Sequence, residues 1–203
     1  SAHRPLSMSI KILVVSEPPS SFYLKYLTLF VRALVKQQHT VFVLAGQPYT
    51  TSFPKGVHKV ASTQFEYFSR SYDEQGFIEV FALAKKLQVR HIHFCRLGYP
   101  QRLYAALSTV PELRMKISFS VFGMTEIYTR PIFRKYLALL SRHKTIGRIL
   151  MHSNEPRGTT LRLKKEKIFR MNSISCVHDP VYEDPRDYHI GPDPKICTQS
   201  LYD

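Results

Sequence analysis

The stretch from Ile10 to Gly46, IKILVVSEPPSSFYLKYLTLFVRALVKQQHTVFVLAG, constrains the fold more than any other part of the chain. It opens with a nearly unbroken apolar run, Ile10 with Ile12 to Val15, rich in β-branched residues. That is how a strand buried on both faces reads. Two prolines, Pro18 and Pro19, mark a turn. Ser20 or Ser21 is then placed to cap a helix reaching to about Gln38. After His39 and Thr40 a second β-branched run, Val41 to Ala45, ends at Gly46. Strand, helix and strand at this spacing form a βαβ unit with a right-handed crossover. Ligands of such units sit beyond the carboxyl ends of the strands, so residues 16–21 are the first place to expect a site.

The same alternation continues. Residues 57–61 read as a short strand, and the aromatic stretch 64–72 as a short helix or an ordered loop. Asp73 is placed to cap a helix through Leu87, with Phe77, Val80, Phe81 and Ala84 on one face. His91 to Cys95 is a fourth strand with Arg96 to Gly98 as its exit loop, followed by a helix from Tyr99 to Thr109. Lys116 to Val121 is a fifth strand. Pro131 suits the first turn of a helix running to His143. Arg148 to Met151 is a sixth strand, and Ser153 or Asn154 caps a helix through Lys165. A last strand falls at 168–171 or 173–177. The expected fold is α/β, a doubly wound Rossmann-like, mostly parallel sheet of about six to seven strands with helices on both faces.

With 203 residues, 44% of them hydrophobic and 22% charged, the chain suits one sizeable globular domain. No apolar run reaches the roughly 18 residues of a membrane span, because Lys25 and Arg32 interrupt the best one. Cys95, Cys176 and Cys197 are widely spaced and odd in number, which predicts reduced thiols rather than a disulfide framework. Residues 1–7, ahead of Met8, read as a foreign leader. The net charge of +14 is uneven: between Arg130 and Arg170 there are 12 Lys or Arg and two acids, a local +10. Such a field favours anionic partners, whether nucleic acid, lipid head groups or phosphorylated substrates.

No G-x-G-x-x-G follows the first strand and no P-loop occurs anywhere, so the backbone that cradles nucleotide phosphates is missing. His91 and His93 share a strand face and would suit a common metal, but no third ligand cluster is evident. Core or strand-end histidines are the preferred reading, and no metal site is expected. Glu17 has two open readings, a crevice carboxylate serving as acceptor or base and a solvated loop acid. The segment from Arg130 to Leu140 is basic and amphipathic. Arg130, Arg134, Lys135, Arg142, Lys144, Arg162, Lys164 and Lys165 are the expected contacts to an anionic surface.

The order of pieces resembles the N-terminal lobe of retaining GT-B-fold nucleotide-sugar glycosyltransferases. The opening matches with Leu27, Leu34, His39, Val41 and Val43-Leu44-Ala45 in place. ISFSVFGMTEI is similar to the family's strand and sugar-facing loop, RILMHSNEPRGTTLRL to its strand and helix with Ser153 and Arg157, and KIFRMNSISCVHDPVYEDP to the strand ending the lobe. The chain departs from the family at Pro18 to Ser21, where a glycine pair is usual, and at Phe122, where a histidine is usual.

The resemblance implies an N-terminal lobe over 8–178 and a linker or extension over 179–203 towards a second lobe. That lobe, in the same or a separate chain, carries the donor site, so this chain holds no cofactor and is inactive by itself. The implied function is the acceptor-binding half of an enzyme moving sugar from a nucleotide-sugar donor to a glycan, lipid-linked or phosphorylated acceptor, in surface polysaccharide or glycolipid synthesis. Acceptor-cleft candidates are Glu17, Ser20, Ser21, Arg96, Gly123, Thr125, Glu126, Ser153 and Arg157. The expected location is the cytoplasm, peripheral to the inner membrane face. The alternatives are a stand-alone Rossmann-like module for nucleic acid or another polyanion, and a complete small enzyme using Glu17, His91 and His93.

Overall fold

The computed structural model describes residues 9–16, 21–45, 55–60, 73–110, 112–121, 130–151 and 165–170. Along the chain these form β1 (Lys11–Ser16), α1 (Ser21–Lys36), β2 (Thr40–Ala45), β3 (Val57–Lys59), α2 (Glu74–Lys86), β4 (His91–Phe94), α3 (Pro100–Thr109), β5 (Lys116–Val121), α4 (Pro131–Ser141), β6 (Ile146–Met151), a 3-10 turn (Lys165–Lys167) and β7 (Ile168–Arg170). The seven strands make one sheet in the order β3-β2-β1-β4-β5-β6-β7. Every pairing between neighbours is parallel. This is the doubly wound Rossmann-like architecture that the alternating apolar runs predict.

The sheet separates two cores. On one face β1 and β2 place Ile12, Val14, Val41 and Val43 against Leu27, Phe30, Val31 and Leu34 of α1. On the other, β1, β4, β5 and β6 present Leu13, Val15, Ile92, Phe94, Phe119 and Ile149 to α2, α3 and α4. The period-2 alternation of strand side chains produces this division. It also explains why the central strands read as continuous apolar runs: both of their faces are covered. A register shift beside Ile117 and Ser118 lets Ile146 and Ile149 join the same core although they stand three positions apart, an odd step.

Local signals set the helix ends. Asp73 accepts a hydrogen bond from the Gly76 amide at 2.7 Å and caps α2, as its place in the sequence predicts. Helices α1 and α2 end alike. The Gln38 amide donates to Val35 O and the His39 amide to Leu34 O, while Gln88 donates to Lys85 O and Val89 to Ala84 O. Each is a Schellman ending with a glutamine in the left-handed region, at φ 64° for Gln38 and 57° for Gln88.

The structure adjusts several expected boundaries. α1 stops at Lys36, α3 begins at Pro100, α4 stops at Ser141 and β6 begins two residues earlier, at Ile146. The closing strand is 168–170. α1 is less uniformly buried than its composition implies, since Arg32 and Lys36 are exposed. The expected short helix or loop at 64–72, the helix after Ser153 and the extension from 179 lie outside the described residues. Among the described residues no helix is long and apolar enough to cross a membrane.

Candidate functional site

Strand order reverses between β1 and β4. From β1 the chain winds outward through β2 to β3, and from β4 it winds the other way to β7. The two crossover series leave a crevice beyond the carboxyl ends of β1 and β4, where open parallel sheets bind ligands. Ser16 ends β1 and is buried, and the Cys95 amide donates to Val15 O at 2.9 Å, carrying the ladder one residue past β4. The chain then leaves as Arg96, Leu97 and Gly98, and the Leu97 amide donates to Ser120 O of β5 at 3.2 Å. Arg96, half-buried, lies in the loop that leaves β4, as its place in the sequence predicts, and the strand order puts that loop at the reversal point.

Next to the crevice the mouths of α3 and α4 meet. Tyr99 precedes α3 and Arg130 precedes α4; each helix carries proline in its first turn, and neither has a side-chain cap hydrogen bond. The Arg102 guanidinium carbon lies 4.4 Å from the Tyr99 ring centroid, and that of Arg130 lies 5.1 Å from it. Arg130 Nη1 also donates to Gly98 O at 3.3 Å. Two cations from separate segments are thereby held at one aromatic ring, an arrangement favoured by the ring's negative face. Within α3, the buried Oε1 of Gln101 has no hydrogen-bond partner.

Beneath the crevice, on the α1 side of the sheet, runs a buried polar chain. His91 Nε2 and His93 Nδ1 each stand 2.7 Å from the Ser118 hydroxyl oxygen, and His93 Nε2 stands 3.3 Å from that of Ser120. The His93 ring stacks on Phe30 with centroids 4.3 Å apart. Burial, and then the nearby His39, push His91 down to about 4, so it meets Ser118 as a neutral imidazole at neutral pH. These are core histidines, the reading preferred from sequence. Among the described residues no group of three or more potential metal-ligating side chains converges. Burial raises the Cys95 thiol far above its ordinary range, which leaves it un-ionised and inert.

Of the expected cleft residues, Arg96 stands at the crevice and Ser21 opens α1. Glu17, Ser20, Gly123, Thr125, Glu126, Ser153 and Arg157 lie outside the described residues, as do Arg162 and Lys164 of the expected anionic surface; Lys165 opens the 3-10 turn. α4 divides the remaining cations. Arg130 stands at its amino end with Arg134 and Lys135 one turn on, whereas Arg142 and Lys144 follow its carboxyl end, about 16 Å away along the axis. At that far end Arg142 Nη1 donates to Ala138 O at 2.9 Å, Lys116 Nζ donates to Lys144 O at 2.8 Å, and Lys167 Nζ donates to His143 O. Those charges complete the end of a helix, as cations at a helix carboxyl terminus do.

A groove of about 670 Å³, lined by Phe81, Lys85, Val110, Glu112 and Met115, opens between the carboxyl ends of α2 and α3, at the amino end of the sheet. It is remote from the reversal point, and strand topology outweighs its size. Tyr99, Gln101 and Arg102 were not singled out from sequence. The only signal was two arginines bracketing a Tyr-Pro helix start, and that pattern acquires meaning once Arg130 arrives from elsewhere in the chain.

No family model and no curated protein sequence matches the chain. Among solved structures, the fold is similar to that of SsfS6, a glycosyltransferase of Streptomyces sp. SF2575, at 12% identity and a TM-score of 0.41 over 80% of this chain and 53% of that one. It is also similar to that of a LacI family transcriptional regulator, CCPA from Weissella paramesenteroides, solved with bound glucose, at 12% identity and a TM-score of 0.32 over 79% of this chain and 58% of that one. The chain spans little more than half the length of each, and the likeness is one of fold alone.

Proposed function

We propose that this chain is the acceptor-binding lobe of a two-lobe glycosyltransferase. The observation that carries the reading is the crevice at the β1–β4 reversal, which Arg96 edges and whose first βα turn has no glycine-rich phosphate cradle. A crevice so equipped binds a hydroxyl-bearing acceptor in preference to a nucleotide. The donor is held by a second lobe, in the same or a separate chain, so that transfer occurs between the two. The sequence resemblance over 10–185 supports the same reading. Ile132, 59% exposed between Arg130 and Arg134, suits contact with an anionic membrane face from which a lipid-linked acceptor would be presented.

Saturation-transfer NMR on the full chain tests this. Glycan or lipid-linked oligosaccharide acceptors are expected to receive saturation, and Arg96→Ala to weaken it, while nucleotide-sugars alone give none. Nucleotide-sugar binding without any acceptor binding, or turnover of donor by the chain alone, overturns the reading. The net charge of +14 favours a second reading, a polyanion-binding module. A salt-dependent shift of short DNA at physiological salt would select it.

A further inference from the structure

We infer that the groove between the carboxyl ends of α2 and α3 is a second binding site, one that takes an apolar carboxylate. The alkyl chain lies on the groove floor and the charged end at the rim that carries Lys85 and Arg114. The site is independent of the acceptor-lobe reading, because the groove opens at the amino end of the sheet, away from the crevice.

The groove has a volume of about 670 Å³, within the roughly 300–1,000 Å³ of small-molecule sites. One wall is a stripe of α2. Ile78, Phe81, Ala82 and Lys85 stand at i, i+3, i+4 and i+7, so they share one face of that helix. Ala82 is exposed, and its methyl leaves open a space that a longer side chain would cover. The facing wall is the segment that leaves α3 for β5. There Leu113 is half-buried and Met115 buried, while Glu112 and Arg114 between them are exposed. Phe81 and Met115 belong to the larger of the two cores and give the groove an apolar floor. An alkyl chain laid on that floor takes apolar surface out of water on both walls.

The rim decides the class of ligand. Lys85 on one wall and Arg114 on the other are exposed, against a single acid, Glu112. Among the described residues no hydrogen bond or ion pair engages the side chain of any of the three. The carbonyls at the two helix ends are already engaged. Leu83 O accepts from the Leu87 amide at 2.9 Å, Lys85 O from Gln88 at 3.1 Å and Ala84 O from Val89 at 3.1 Å. Ala106 O accepts from Thr109 Oγ1 at 2.8 Å. An amphipathic cation therefore meets two like charges with those acceptors already used, whereas a carboxylate meets two cationic donors. A second copy of the chain suits the groove less well, because two molecules of net charge +14 repel each other.

Methyl NMR of the full chain with isotope-labelled methionines, titrated with decanoate below its micelle concentration, tests the site. The Met115 methyl, assigned by its loss in Met115→Leu, is expected to shift. Octanoate should bind about tenfold more weakly for want of two methylenes. Lys85→Ala and Arg114→Ala should each weaken decanoate by about two- to fivefold, and Glu112→Gln should strengthen it; all three should leave decanol within about twofold of the parent. Ala82→Trp fills the opening from an exposed helix position and should abolish the shift. Arg32→Ala removes a charge from an exposed position on α1 and should leave decanoate binding unchanged. A Met115 methyl that decanoate does not move, decylammonium binding as tightly as decanoate, or an Arg32→Ala loss equal to that of Lys85→Ala overturns the inference. So does a Met115 shift that follows protein concentration without ligand, which would assign the groove to a second copy.

Discussion

The Ser118 hydroxyl oxygen stands 2.7 Å from His91 Nε2, and the same oxygen stands 2.7 Å from Nδ1 of His93. One hydroxyl has one proton to give. If it donates to His91, it accepts from His93, and the reverse polarity requires the other tautomer of each ring. Protonating His91 adds a charge in a fully buried site, and burial accordingly holds it down at about 4. The unfolded chain takes up that proton near 6.5, so between 6.5 and about 4 the unfolded state binds more protons than the folded one. Stability is therefore complete above pH 6.5 and falls as the pH drops to about 4, by roughly 3 kcal/mol at most from this group. His39 and His143, also lowered by burial, add to the loss in the same direction. Urea unfolding at pH 7.5, 6 and 5 should show this slope, and His91→Gln should flatten it. A stability that rises towards pH 5 would refute the assignment.

Replacing Ser118 by alanine removes the shared partner of both rings while leaving their burial intact. Two buried imidazole nitrogens then lack their bond, and the expected loss is roughly 2 kcal/mol, read as a lower urea midpoint at unchanged slope. The variant should also change the pH dependence, because His91 and His93 no longer constrain each other's tautomer.

How far such features were legible depends on whether they are local. The apolar runs at 12–15 and 41–45 and the alternation at 116–121 disclosed the strands, the first two as ones buried on both faces, and Asp73 disclosed its helix because a cap bonds within one turn. The serine between His91 and His93 was hidden, since it becomes their neighbour only through the β4–β5 register that pairs His93 with Ser118. The start of β6 was misplaced by Gly147, which reads as a break but sits at a register shift inside the strand. Arg96 was legible as the exit of β4 because it follows that strand directly, whereas the reversal there follows only from the strand order. The ring of Tyr99 was not, because its two cations come from different helix starts.

Gln88, at φ 57°, holds the left-handed position that closes α2 and delivers the chain to β4. A side chain there costs about 1–2 kcal/mol that glycine does not. Gln88→Gly is therefore expected to stabilise the protein by roughly 0.5–1 kcal/mol, net of the entropy glycine gains in the unfolded chain. Gln38→Gly, at φ 64° after α1, should do the same. Thermal midpoints of the two single variants and the double variant check this, and near-additive gains are expected because the two turns lie at separate helix ends.

The two ends of α4 should respond differently to charge removal. At the carboxyl end, Arg142 donates to Ala138 O of the last turn and Lys116 to Lys144 O of the turn that follows, so each is bound into the exit from the helix. Alanine at either position is expected to lower stability by about 0.5–1 kcal/mol and to leave binding to anionic vesicles within about twofold of the parent. At the amino end Arg130 meets the Tyr99 ring and the Gly98 carbonyl two residues before the exposed Ile132, and its loss should weaken binding to anionic vesicles several-fold as well as lower stability by about 0.5–1 kcal/mol. Melting curves and anionic-vesicle co-sedimentation of Lys116→Ala, Arg142→Ala and Arg130→Ala, run together, separate the two roles. Equal binding losses at both ends would mean that the basic segment acts through its summed field.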